Sequence, residues 1–302
     1  MNGSISLPSY ITDFVISKDG TRIGYRQMGH GPALILVHGG MQASQNLMKL
    51  AAALAEQFTV YVPDRRGRGL SGPYGENYTI QKAVDDMEAL LYKTEAHNVF
   101  GLSAGAIVCL QSALVLPNID KLAIYEPPLS INGSLSRDWL ARYDHEIAQG
   151  KIGAAMVTAS KGMKDAPVFS AIPRFISVPF MTLAMKTEAQ EVKEDDIPLE
   201  KLVPTIHFDA PMVFAAENTI ETFKDVRADV LLLGGSKSPA YLKLALDRLS
   251  AVLPHVQRVE LAGLGHLAAD NGGQPERVAQ ELRPFFDKPH KQAIHPEARG
   301  SA

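Results

Sequence analysis

One cysteine, Cys109, is present in 302 residues, so no disulfide can form within the chain. It falls in an apolar stretch and reads as a buried small side chain. No run approaches the roughly 20 apolar residues that a membrane helix needs. Charge of either sign is not in excess: 30 Lys and Arg stand against 33 Asp and Glu, a net of -3. That balance gives no electrostatic footprint for nucleic acid or an anionic membrane, and Arg65-Arg66-Gly67-Arg68 is too short to change it. The nine histidines show no metal-ligand spacing. Met1 to Tyr10 lacks the basic start and apolar core of a secretory leader. Together these absences lead us to expect a cytoplasmic protein without metal or cofactor. The sequence says nothing of oligomeric state.

What is there is alternation. Strand-like and helix-like stretches succeed one another, as expected for an α/β fold with a mostly parallel sheet covered on both faces. Ile11 to Ile16 and Thr21 to Met28 read as antiparallel strands around a Lys18-Asp19-Gly20 turn. Ala33 to Val37, Thr59 to Val62, Asn98 to Leu102, Leu122 to Tyr125, Val230 to Leu233 and Gln257 to Leu261 supply the other strands. Leu47, Leu50, Leu54 and Phe58 have helical spacing, as do Val84, Met87 and Leu91 behind Thr79 as N-cap. Pro275 opens a final helix. The alternation is broken between about Ser130 and Asp225. We expect residues 1–129 and 226–287 to form the core, 130–225 a helical cap, and 288–302 a disordered tail containing His290 and His295.

Gly101-Leu102-Ser103-Ala104-Gly105 joins an apolar strand to a helix. Gly-x-Ser-x-Gly in that setting is a nucleophile elbow, a sharp turn that holds a serine oxygen above a sheet. A serine hydroxyl is a weak nucleophile without a base, and the base needs an orienting group. His266 lies far downstream, after the last strand and a glycine-rich turn, where such a base is required. An oxyanion needs backbone donors. The amides of Gly40, in Val37-His38-Gly39-Gly40-Met41, and of Ala104 fill that role. His38 reads as structural.

These features resemble the α/β-hydrolase superfamily up to about Lys288. The resemblance rests on the elbow, on His38-Gly39-Gly40, on His266, and on Asp64-Arg65-Arg66-Gly67-Arg68-Gly69-Leu70-Ser71, which is similar to the family's Asp-x-x-Gly-x-Gly-x-Ser turn. That turn implies a structural Asp64. The family commonly carries the acid after the strand matching Val230 to Leu233, but this chain reads Gly234-Gly235-Ser236-Lys237-Ser238-Pro239 there. Asp229 is at the wrong end of that strand. Glu126, which ends the strand before the insertion, is the best substitute, because strand ends of a parallel sheet converge. Some superfamily members, zearalenone lactone hydrolases among them, have the acid at that place. Asp209 and Asp270 remain alternatives.

The resemblance implies a serine hydrolase with Ser103, His266 and Glu126 as catalytic residues. The insertion carries Trp139, Met156, Met163, Phe169, Phe175, Phe180, Met181 and Met185. Most of these should form the cap's own core. Met41, Trp139, Phe175, Phe180 and Met181 are expected to line an apolar pocket. The expected substrate is then a small apolar carboxylic ester or lactone. Carbon–carbon bond hydrolysis, acyl transfer, and a ligand receptor with little turnover are the alternatives. Serine at the elbow argues against the carboxylate-nucleophile chemistry of dehalogenases and epoxide hydrolases.

Overall fold

The computed structural model describes residues 9–163, 171–193 and 195–288. Eight strands form one sheet in the order β1-β2-β4-β3-β5-β6-β7-β8. They are β1 (Ile11–Ile16), β2 (Arg22–Gly29), β3 (Ala33–Val37), β4 (Thr59–Pro63), β5 (Asn98–Leu102), β6 (Lys121–Tyr125), β7 (Asp229–Gly235) and β8 (Val256–Leu261). β1 and β2 pair antiparallel, as do β2 and β4. From β4 through β8 every pairing is parallel.

The central strands β3, β5, β6 and β7 are largely apolar because both their faces are covered. Ile35, Val37, Val99, Ile124 and Leu232 join one core cluster, together with side chains of the helices Ile80–Thr94 and Ala104–Val115. Leu34, Leu36, Phe100, Tyr125 and Leu233 join the other, with the helices Met48–Leu54 and Pro275–Asp287. The two sets interleave along each strand, as the two-residue pleat requires. Each such burial contributes roughly 1.5–3 kcal/mol. Cys109 is buried in the first cluster, and burial pushes its thiol well above the usual value.

One local expectation is corrected. The helix read through Phe58 ends at Leu54, because the amides of Gln57 and Phe58 both donate to the Leu54 carbonyl and close the last turn. Phe58 packs instead against Phe286, ring edge to face. Thr79 stands at the N-cap of the helix Ile80–Thr94 as expected, with extended backbone and no side-chain capping hydrogen bond.

The register brings the strand ends level: Val37 lies opposite Gly101, Leu102 opposite Tyr125, and Tyr125 opposite Leu233. His38, Ser103, Glu126 and Gly234 therefore follow at one edge of the sheet. Between β6 and β7 lie the helices Leu140–Ala148, Ile152–Met163, Arg174–Glu191, Leu199–Leu202 and Ile206–Ala215. They have a small core of their own around Tyr143, Ala155, Ala159, Met185, Val203 and Phe214. Phe169 and the tail beyond Lys288 lie outside the described residues.

Candidate active site

Ser103 has φ 53° and ψ -122°, a left-handed conformation that a side chain rarely adopts. Such strain is stored where the surroundings over-determine it. Here the two flanking glycines permit the turn. A Cβ at Gly105 would lie 2.4 Å from the His38 carbonyl oxygen, and one at Gly101 would lie 2.7 Å from the Ala106 Cα. The Ser103 amide donates to the Tyr125 carbonyl at 2.9 Å, tying the elbow to β6.

His266 reaches the serine from the turn after β8. Its Nε2 lies 3.0 Å from Ser103 Oγ, and its Nδ1 lies 2.8 Å from Glu126 Oε2. A carboxylate only accepts, so Nδ1 carries the proton and Nε2 is free to accept from the serine hydroxyl. The turn is held from two sides. Tyr125 Oη donates to the Gly265 carbonyl at 2.9 Å, and the Lys237 amide donates to the Leu264 carbonyl at 2.8 Å.

Glu126 is fully buried. Its second oxygen, Oε1, accepts the Gly235 amide at 2.6 Å. It sits at φ 47°, turning the chain sharply out of β6. The other two carboxylates weighed from the sequence are committed elsewhere. Asp270 accepts from Gln42 Nε2 at 2.7 Å and Asn46 Nδ2 at 3.1 Å. Asp209 pairs with arginines: Arg65 Nη2 donates to Oδ1 at 2.8 Å, and Arg68 Nη2 to Oδ2 at 2.6 Å.

The loop after β3 is braced from below. The Arg65 amide donates to His38 Nε2 at 3.1 Å, so Nδ1 carries the proton and donates to the Gly39 carbonyl at 2.9 Å. Burial, with the Arg68 and Arg65 guanidiniums close by, holds His38 well below its ordinary value and neutral. Gln42 Oε1 accepts the Gly39 amide at 2.8 Å. Asp64 accepts from the Ser44 and Leu70 amides at 2.7 and 2.9 Å, fixing the next turn.

A cavity of about 120 Å³ opens on this edge, lined by Ser103, His266, Gly40 and Ala104. Met41 and Trp139 line it as expected; Phe175, Phe180 and Met181 do not. The helix Arg174–Glu191 packs on Ile152–Met163 through a close contact of Gly153 with Thr182. Phe175 and Phe180 lie on the solvent side of that helix, 79% and 65% exposed. Met181 stays partly buried among the insertion's own apolar side chains. The wall comes instead from the helix Ile206–Ala215, through Ile206, Asp209, Ala210, Val213 and Phe214, with Tyr241 on the far side. No motif marks these positions. The helix has almost no amphipathic periodicity, so its pattern could not say which face met a ligand.

A serine, a histidine and a buried carboxylate in one hydrogen-bonded line, at the carboxyl ends of parallel strands and beneath an apolar cavity, define a hydrolase-type site. The family profile described as "Alpha/beta hydrolase family" matches residues 34–281. The chain belongs to that family. It is similar to the uncharacterized hydrolase YraK of Bacillus subtilis, 31% identical over 42% of this chain, though the match spans only 45% of that protein. It is similar along most of its length to the pimeloyl-[acyl-carrier protein] methyl ester esterase of Xanthomonas axonopodis pv. citri, 23% identical over 85% of this chain and 96% of that one. Among solved structures, an alpha/beta hydrolase from Sphaerobacter thermophilus superposes with TM-score 0.74 at 26% identity, covering 91% of this chain and 100% of that one. No described helix is long and apolar enough to cross a membrane.

Proposed function

We propose that this chain is a serine hydrolase that cleaves a carboxylic ester or lactone of an apolar small molecule through an acyl-enzyme. The observation that carries the reading is the unbroken line from Ser103 Oγ through the His266 ring to Glu126 Oε2, opening on the apolar cavity. Ser103 Oγ attacks the carbonyl carbon while His266 Nε2 takes its proton. Glu126 holds the ring and stabilises the imidazolium. The amides of Gly40 and Ala104 receive the oxyanion, each worth about 3 kcal/mol. His266 then protonates the departing alcohol. A water, deprotonated by the same nitrogen, releases the acid and restores the serine. The chemistry asks for no cofactor.

Residues 130–225 act as a cap over this site, and 1–129 with 226–287 as the catalytic core. Their own small cluster and their share of the cavity wall support that division. A relative named for methyl ester cleavage favours an ester over an amide substrate. Reaction with a small fluorophosphonate, followed by peptide mass spectrometry, tests the reading. One adduct per chain, on Ser103, is the expected result, together with hydrolysis in a panel of apolar esters and lactones. A folded chain that takes no label would set the reading aside in favour of a ligand-binding role.

A further inference from the structure

The cavity wall is apolar except at a few points, and Asp209 is its one carboxylate among the described residues. A carboxylate in an apolar wall is costly. Hydrophobic residues of similar volume commonly hold two elements together as well as a buried ion pair does. Anchoring the helix Ile206–Ala215 to the turn after β4 therefore does not by itself account for an acid here.

Three observations give Asp209 a direction. Its side chain is buried, and Arg65 and Arg68 hold both oxygens from behind. Those guanidiniums do not line the cavity, whereas Asp209 does. Oδ2 also lies 3.4 Å from where a Gly40 Cβ would be, beside the residue whose amide is the proposed oxyanion donor. A carboxylate has about four acceptor positions, and the arginines occupy two. An acceptor is thus presented to the ligand close to the carbonyl's place.

We infer that Asp209 determines specificity by accepting a hydrogen bond from a substrate hydroxyl on the α or β carbon of the acyl group. The preferred substrates are then esters of hydroxy acids rather than of plain alkanoic acids. The inference rests on the serine-hydrolase reading for its account of where the carbonyl sits. Two guanidiniums against one carboxylate leave the cluster net positive, which disfavours an ammonium group. An anionic substrate group would meet the carboxylate before any arginine donor. A neutral hydroxyl suits both constraints.

The test compares p-nitrophenyl 3-hydroxybutyrate with p-nitrophenyl butyrate. In the wild-type protein kcat/KM should favour the hydroxy ester about tenfold or more, the scale of a hydrogen bond to a charged acceptor. Ser103→Ala, titrated with the same two esters by calorimetry, should show the same preference in Kd. In Asp209→Asn the ratio should collapse towards one. An equal loss on both esters with the ratio kept would mean a purely structural residue and overturn the inference. Equal kcat/KM and equal Kd in the first two proteins would overturn it even if Asp209→Asn fails to fold. Preferential binding by Ser103→Ala, with no hydrolysis by the wild type, would uphold the inference and defeat the hydrolase reading instead.

Discussion

Glu126 and Gly235 are joined by a 2.6 Å hydrogen bond that runs from the end of one strand to the end of the next. A Cβ at neighbouring Gly234 would sit 3.1 Å from Glu126 Oε1 and 2.6 Å from Leu246 Cδ1. The acid thus occupies the space left by side chains missing from β7. The glycine pair at Gly234-Gly235, which in the sequence is only the absence of a carboxylate, is the seat of the Glu126 carboxyl.

Glu126→Gln should keep the fold and lose turnover. The amide retains an acceptor for Gly235 but presents a donor or a weaker acceptor to His266, favouring the wrong ring tautomer. A fall in kcat of about ten-thousand-fold is expected, with a small change in Tm. Near-normal ester hydrolysis would move the acid's role elsewhere.

Gly235→Ala should damage both stability and activity. Its Cβ would meet the Leu264 carbonyl oxygen at 2.3 Å, a backbone atom in the turn that carries His266. Overpacking of this kind costs about 1–3 kcal/mol. Denaturant melts and fluorophosphonate labelling rates on the same preparation would measure the two losses. An unchanged labelling rate would contradict the expected displacement of His266.

Ser103→Gly and Ser103→Ala should both abolish hydrolysis yet differ in stability. Glycine accepts φ 53° without strain, and alanine does not. The glycine variant should be more stable by about 1 kcal/mol, in line with the usual cost of a non-glycine residue there. Equal urea midpoints would mean the elbow carries little strain.

His38 should make the fold acid-sensitive. Its folded-state value is depressed below the ordinary 6.5 by burial and the two arginines. The unfolded chain therefore takes up a proton that the folded one refuses. The stability this neutral ring confers is complete above pH 6.5 and is lost as the pH falls towards the folded value. One such proton is worth about 1.4 kcal/mol per pH unit. In His38→Gln the decline in stability between neutral and mildly acidic pH should be shallower by up to that amount, read from urea melts.

Trp139→Ala should widen the cavity it lines. Across p-nitrophenyl esters from acetate to decanoate, the best chain length should rise, with about tenfold loss on the shortest. The same profile at lower overall rate would place the ring outside the acyl path.

Much of this site was legible because its geometry is one-dimensional. Gly-x-Ser-x-Gly after an apolar strand leaves a serine little freedom, and the parallel register then puts Glu126 one strand away. His266 followed from the chemistry that a serine demands. The cavity wall was not legible in the same way. Phe175 and Phe180 look like pocket residues by type, but Arg174 with Glu146, buried Met185, and Thr182 against Gly153 hold the other side of their helix inward. Asp209 was visible only as an alternative for the acid that orients His266. Only the folded chain shows that Arg65 and Arg68, far away in sequence, converge on it.

Only one helix and one strand, Ala104–Val115 and β6, lie between Ser103 and Glu126, whereas His266 waits beyond the insertion and two further strands. Chain order is therefore also an order of arrival during synthesis. A growing polypeptide exposes Ser103 and Glu126 while His266, the proposed base, is still untranslated. On the proposed mechanism, the hydroxyl stays chemically dormant until the segment carrying His266 has been made, and the enzyme switches on only as β8 docks.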